Sequence, residues 1–191
     1  MNAAMRAYYE QRAAEYDEWW LGTGLFATRD RPGWHEDVAG LIAALHALAP
    51  ARTLDLACGT GFLTRELPGR VTGVDQSEGM VAVARSRGLD AVVGDALEPR
   101  PGYERIFSSH FYGHLDASQR GRFTTLPADE LVVVDSALRP GGLAEDWQER
   151  VLNDGSRHRV YKRWFTPERL LEELGGGEVV FAGDWFVAVT G

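Results

Sequence analysis

Cysteine and lysine are each used once in this 191-residue chain, at Cys58 and Lys162. A lone thiol excludes an intramolecular disulfide and any cysteine-rich zinc site. Basic charge is scarce as a whole: 20 Lys and Arg stand against 28 Asp and Glu, a net charge of −8. That balance argues against nucleic acid or an anionic membrane surface as a partner. No apolar run approaches the roughly 20 residues that span a bilayer, and no basic-then-apolar leader opens the chain. A cytoplasmic protein is expected. Internal repeats and low-complexity linkers are also missing. What remains is ordinary globular material, with 45% hydrophobic and 25% charged residues. One domain of this size should bury about 70% of the surface its unfolded chain exposes, with no staple or metal needed.

Residues 1–48 read as a helical cap and residues 49–191 as an α/β core. In the cap, Met5, Tyr9, Tyr16 and Trp20 keep an apolar face at helical spacing. Val38, Leu41, Ile42, Leu45 and Leu48 form a second stripe, after a glycine-containing break at 21–33. Pro50 ends it. Strands are then predicted at 53–56, 71–74, 91–93, 105–108 and 131–135, and helices at 62–67, 77–87 and 166–174. Thr166 and Pro167 supply a cap and a first-turn proline for the last of these. Residues 178–181 and 185–190 read as an antiparallel pair at the sheet edge. The alternation predicts a doubly wound, Rossmann-like α/β fold. Its seven-stranded sheet should be mostly parallel, with an antiparallel C-terminal edge strand and the N-terminal helices over the ligand site.

In such sheets ligands bind beyond the C-terminal ends of the strands. After the first strand comes Asp55-Leu56-Ala57-Cys58-Gly59-Thr60-Gly61, where small residues at 57, 59 and 61 let a ligand approach the backbone. Asp75 ends the second strand, where a carboxylate can accept both hydroxyls of a ribose. Asp95 follows the third, in Gly94-Asp95-Ala96. A dinucleotide turn needs a third glycine, which this register replaces with Phe62, and Asp55 would repel a pyrophosphate. S-adenosylmethionine has no phosphate and carries sulfonium and ammonium cations, so an acid beside the turn suits it. The dinucleotide reading loses.

The turn at 55–61, the segment Val74-Asp75-Gln76-Ser77-Glu78-Gly79-Met80 and Gly94-Asp95-Ala96 together resemble the class I S-adenosylmethionine-dependent methyltransferases. The opening Tyr8-Tyr9-Glu10-Gln11-Arg12-Ala13-Ala14-Glu15-Tyr16-Asp17 is similar to the N-terminal motif of their small-molecule branch. The resemblance implies that Asp55, Ala57, Gly59 and Gly61 border the methionine part of the cofactor and that Asp75 holds the ribose. It further implies Gln76 and Met80 beside the adenine, Asp95 and Ala96 at its edge, and Tyr16 over the methionyl end. One departure is plain: the usual Leu-Lys-Pro-Gly-Gly turn before the fifth strand is replaced by Leu126-Pro127-Ala128-Asp129-Glu130, and Leu138-Arg139-Pro140-Gly141-Gly142 follows that strand instead.

On the acceptor side, His110 and His114 follow the fourth strand, where the transferred methyl should sit. Histidine is the side chain best poised for general-base work near neutral pH, so both are candidate catalytic residues, and His110 is also a candidate cofactor contact. Residues 21–34 should roof the acceptor pocket, with Arg29, Arg31 and Trp34 offering cationic and aromatic contacts. No metal site is expected, because Ser108-Ser109 and Asp135-Ser136 stand where a catechol-type site needs acids and an Asp-Asn pair. The basic, aromatic run 157–164 reads as a solvated strand, and His46 and His158 as structural. The expected protein is a monomeric or homodimeric methyltransferase acting on an O, N or S atom of a small-molecule acceptor by in-line displacement. The alternative is a protein that binds S-adenosylmethionine without transferring its methyl group.

Overall fold

The computed structural model describes residues 3–98 and 100–191. Helices α1 (Ala3–Arg12), α2 (Glu18–Leu21) and α3 (Trp34–His46) precede strand β1 (Ala51–Leu56). Then follow β2 (Gly69–Asp75), α4 (Glu78–Ser86), β3 (Asp90–Val93), β4 (Arg105–Ser109), α5 (Ala117–Phe123) and β5 (Glu130–Ser136). The chain closes with β6 (Glu145–Val151), β7 (Arg157–Arg163), α6 (Pro167–Leu174), β8 (Val179–Ala182) and β9 (Phe186–Thr190).

Seven strands form one sheet in the order β3-β2-β1-β4-β5-β9-β8. The first five pair in parallel, β9 runs antiparallel to β5, and β8 pairs antiparallel with β9. The Rossmann-like α/β expectation holds, including the antiparallel C-terminal pair. Strands buried on both faces need apolar residues at successive positions, and β5 supplies them from Leu131 to Val134. Alternation sends Val132 and Val134 to the layer of α3 with Leu41 and Leu45, and Leu131 and Val133 to the opposite layer with Phe123 and Leu170. Strand order reverses between β1 and β4, which opens the crevice where ligands bind in such sheets.

Local signals set the helix ends. The Ser77 hydroxyl accepts from the Met80 amide at the start of α4, Asp116 and Gln119 form a reciprocal cap on α5, and Thr166 with Pro167 opens α6. Two expectations need correction. The helix predicted at 62–67 is a single 3-10 turn at Thr64–Glu66, because Pro68 leaves too few residues to repay helix nucleation. The basic strand at 157–164 is not a solvated one. It pairs with β6, which sequence reading missed, in a separate two-stranded sheet, and Val160, Lys162 and Arg163 are buried. β6 is rich in charge, so no apolar alternation marks it. Its partner packs Val160 on Met5 and Tyr8 of α1, so hairpin and cap meet above the C-terminal strand ends. No described helix is long and apolar enough to cross a membrane.

Candidate active site

The turn after β1 is shaped by backbone demands. Ala57, Gly59 and Gly61 have φ of 58°, 56° and 78°, left-handed values that cost an alanine and suit glycine. Asp75 fixes this turn from the neighbouring strand. Its Oδ2 accepts from the Gly59 amide at 3.0 Å and its Oδ1 from the Ser77 amide at 2.8 Å, leaving a lone pair on each oxygen. Burial raises its pKa, against the lowering pull of those amides. Asp55 lies deeper. The Thr64 hydroxyl donates to its Oδ2 at 2.5 Å, its Oδ1 has no partner among the described residues, and burial pushes its carboxyl up to about 8.

Tyr16, Ala57, Gly59, Asp75, Met80 and His110 line one cleft at these strand ends, together with Tyr9, Ser109, Phe111 and His114. Five expected cofactor residues do not border it. Asp55 is buried behind the turn, and Gly61 faces Leu89, whose Cδ1 would lie 2.0 Å from an added Cβ. Ala96 is packed in the core, Asp95 closes a turn by accepting from the Leu97 amide at 2.8 Å, and Gln76 is half-buried beside Asp75. Two acids of the cap were not singled out from sequence. Glu10 accepts from the Ser77 hydroxyl at 2.7 Å and the Gly79 amide at 2.9 Å, and Asp17 accepts from the Thr60 hydroxyl and pairs with Arg87 at 2.7 Å. They clamp the cap onto the start of α4 and the turn after β1. The Tyr-Asp ending of the N-terminal motif was the available signal.

His110 and His114 both reach the site, in different states. His110 has φ of 54°, a strained value that turns its ring into the cleft. Its Nδ1 lies 3.3 Å from the Ser136 hydroxyl and 3.7 Å from Asp135, and its buried Nε2 has no partner among the described residues. Burial, helped by Lys162, holds its pKa well below the usual histidine range. His114 is spoken for on both nitrogens: Nδ1 donates to the Tyr161 carbonyl at 2.5 Å, so Nε2 accepts from the Tyr9 hydroxyl at 3.0 Å. Burial depresses its pKa to about 3. Both imidazoles are neutral at pH 7.

From this cleft a narrow neck, walled by Arg12, Arg150 and Lys162, passes His110 and His114. It opens into a cavity of about 520 Å³. Arg29, Arg31 and Trp34 line that cavity, as expected for the acceptor side, and so do Trp19, Trp164 and Trp185. The hairpin supplies the far wall through Asp146, Gln148 and Arg150, which alternate onto one face of β6. Arg139 and Gly142, from the displaced Pro-Gly-Gly turn, complete it. Five cationic and two acidic side chains border this space, against the acidic balance of the whole chain. No cluster of three or more metal-ligating acids, histidines or cysteines occurs among the described residues.

The fold and the three motifs are similar to those of the class I S-adenosylmethionine-dependent methyltransferases. Residues 53–142 match the methyltransferase domain family. A trans-aconitate 2-methyltransferase of Mycolicibacterium gilvum (strain PYR-GCK) is 46% identical over 76 residues, 36% of this chain and 30% of the relative. The chain therefore matches less than a third of the length of that relative, and the match does not define its acceptor. Among solved structures, the complex of DhpI with S-adenosylhomocysteine is 25% identical, with a TM-score of 0.72 over 98% of this chain and 94% of that one. The magnesium protoporphyrin IX methyltransferase of Synechocystis PCC 6803, solved with S-adenosylmethionine, is 15% identical with a TM-score of 0.62 over 100% and 98% of the two chains, a likeness of fold alone.

Proposed function

We propose that this protein transfers the methyl group of S-adenosylmethionine to a small-molecule acceptor by in-line displacement. One observation carries the reading: a small space beside His110 shares lining residues with both the cleft at Asp75 and the large cavity at Trp34, so the two lie on either side of it. A donor in the first and an acceptor in the second would meet there. Asp75 offers its remaining lone pairs to the ribose, Tyr16 and Met80 flank the cofactor, and the backbone of 57–59 borders its methionyl part. Asp55 supports the turn from behind through Thr64, while Gly61, Gln76, Asp95 and Ala96 shape the strand ends around the adenine. S-adenosylmethionine, when bound, supplies an activated methyl. The protein therefore has chiefly to align the partners and exclude water, and four tryptophans around the acceptor cavity serve both ends.

His110 stands at the reacting end with Nε2 free, as a hydrogen-bond partner of the acceptor. A base with so depressed a pKa gives little driving force for deprotonation, which suits an acceptor that arrives ionised. His114, with both nitrogens engaged, orients Tyr9 over the cleft. In this reading residues 1–48 act as a cap on the 49–191 core, and the protein works in the cytoplasm, away from nucleic acid and membranes, as a monomer or homodimer.

Calorimetry with S-adenosylhomocysteine tests the donor site. Micromolar-range binding is expected, with negligible binding of NAD, and tighter binding of NAD would refute the assignment. Release of S-adenosylhomocysteine from S-adenosylmethionine in the presence of candidate acceptors tests transfer. Tight binding with no turnover across a broad acceptor panel would favour a protein that only binds the cofactor.

A further inference from the structure

The neck holds more positive charge than its neighbours answer. Arg12 is 5% exposed, donates to the Tyr8 hydroxyl at 2.6 Å and lies 4.9 Å from the Tyr16 ring centre, with no described carboxylate paired to it. Arg150 donates to Gln148 at 2.5 Å, while its buried Nε has no partner among the described residues. Lys162 is paired with Asp135, whose other oxygen takes the Gly113 amide. Three cations thus share one carboxylate, and the histidines beside them are neutral. Burying uncompensated charge is strongly unfavourable. A ligand of opposite sign placed in the neck relieves it.

Farther out the pattern repeats in a more open setting. Arg31 stacks on Trp34 at 3.9 Å and Arg139 on Trp185 at 4.2 Å, both on the cavity wall. Neither is ion-paired to a described residue. Arg31 also donates from Nη1 to the Trp19 carbonyl at 2.9 Å, and the remaining N–H groups of each guanidinium are available to a second anion.

Building on the methyl-transfer reading, we propose that the acceptor carries anionic groups at both ends. Its inner oxyanion, held by Arg12, Arg150 and Lys162, is itself the oxygen that receives the methyl group. A lone pair of that oxygen forms the new O–C bond while the C–S bond breaks and its electron pair returns to sulfur. One negative and one positive charge disappear together, and no proton moves. The product is an O-methyl ester. A carboxylate or a phosphonate would supply the same oxyanion.

The test loads the protein with S-adenosylhomocysteine and titrates it by calorimetry with dicarboxylates of three to six carbons, with bis-phosphonates and with the matching neutral diamides. The same compounds are then offered with methyl-labelled S-adenosylmethionine. Saturable binding and labelling of at least one dianion are expected, with no response to the diamides. Alkali releases labelled methanol from a carboxylate ester and leaves a phosphonate monoester intact, which separates the two sources. Arg150→Gln and Arg31→Gln should each weaken dianion binding at least about tenfold, while S-adenosylhomocysteine still binds. Arg31 is half-exposed, so its variant decides the matter if Arg150→Gln fails to fold. Three results overturn the proposal: no dianion bound by the loaded protein, dianion binding indifferent to the substitutions, or label transferred only to amines, thiols or neutral hydroxyls. If S-adenosylhomocysteine itself does not bind, the methyl-transfer reading fails, and the proposal goes with it.

Discussion

Asp55 should write itself into the pH dependence of stability. Its carboxyl is 2% exposed, with one oxygen held by Thr64 and the other unpartnered among the described residues. Burial pushes its pKa up to about 8. In the unfolded chain the value is about 3.9. From about pH 4 to pH 8 the folded state therefore holds a proton that the unfolded state has released, and stability falls as pH rises through that window. The buried histidines act with the opposite sign: their folded pKa values are depressed, so they cost stability increasingly as pH falls from about 8 through 6.5. Over the interval from pH 6.5 to 8 the histidines contribute equally to the parent protein and to Asp55→Asn, so the difference between the two isolates Asp55. At about 1.4 kcal/mol per pH unit, tapering near the folded pKa, the expected loss across it is about 1.5 kcal/mol. Urea denaturation of the apo protein at closely spaced pH values measures this directly. Asp55→Asn keeps the shape and an acceptor for Thr64 but cannot titrate, so its stability should rise slightly over the interval, as the unfolded histidines lose their protons, and show none of that loss. Equal slopes in the two proteins would show that Asp55 is ionised when folded, and would remove the account of its burial given above.

Asp75→Ala should lower S-adenosylhomocysteine affinity at least about tenfold by calorimetry, through loss of charge-assisted bonds to the ribose; an unchanged Kd would refute that contact. Glu10→Ala frees the Ser77 hydroxyl and Gly79 amide from α1. Hydrogen exchange in residues 3–17 should then quicken well before global unfolding, and unaltered exchange would show that the clamp does not hold the cap. Tyr9→Phe leaves the Nε2 of His114 buried without its donor. The expected cost is about 1–3 kcal/mol in urea denaturation, and a neutral effect would mean that the Tyr9–His114 hydrogen bond does not contribute to stability. His110→Ala should lower kcat by less than about tenfold if the acceptor is already an anion, whereas a fall of about 10²–10⁴ would assign the imidazole as a base.

The donor side was legible in the sequence because its demands are local. A tight turn needs small residues at fixed spacing, and a carboxylate at the next strand end needs only a strand and an Asp, so Ala57, Gly59 and Asp75 could be placed from the chain alone. Asp55 shows where that reasoning runs short. The residue type suits a cationic ligand, but only the fold shows that it is buried behind the turn and bound to Thr64. The acceptor side is assembled from distant segments. Arg12 comes from the cap and Arg150 from a strand whose charged sequence carries no apolar alternation. Lys162 comes from a run that reads as solvated, because a buried lysine is identified only by its partner, Asp135, 27 residues earlier. Packing against α1 hides these positions, and a single sequence does not encode that contact locally.

The two ends of the cavity differ in charge, and that difference has a consequence for turnover. Asp75 lies on the donor side, where the sulfonium and ammonium of the cofactor would sit. Arg12, Arg150 and Lys162 lie on the acceptor side, with Trp19 and the neutral His110 between. In water, an oxyanion and a sulfonium would each be stabilised by solvent that must be stripped before they meet. Here the hydration shells are replaced by fixed groups of the correct sign, which hold each ion in place without screening one from the other. Transfer then abolishes both charges at once. The product ester no longer answers Arg150 and Lys162, and the product thioether no longer answers the donor-side carboxylate, so the interactions that gathered the substrates weaken at the moment of reaction. The same excess of cations over carboxylates in the neck thus favours release, and a fresh anion is the ligand best able to displace the ester.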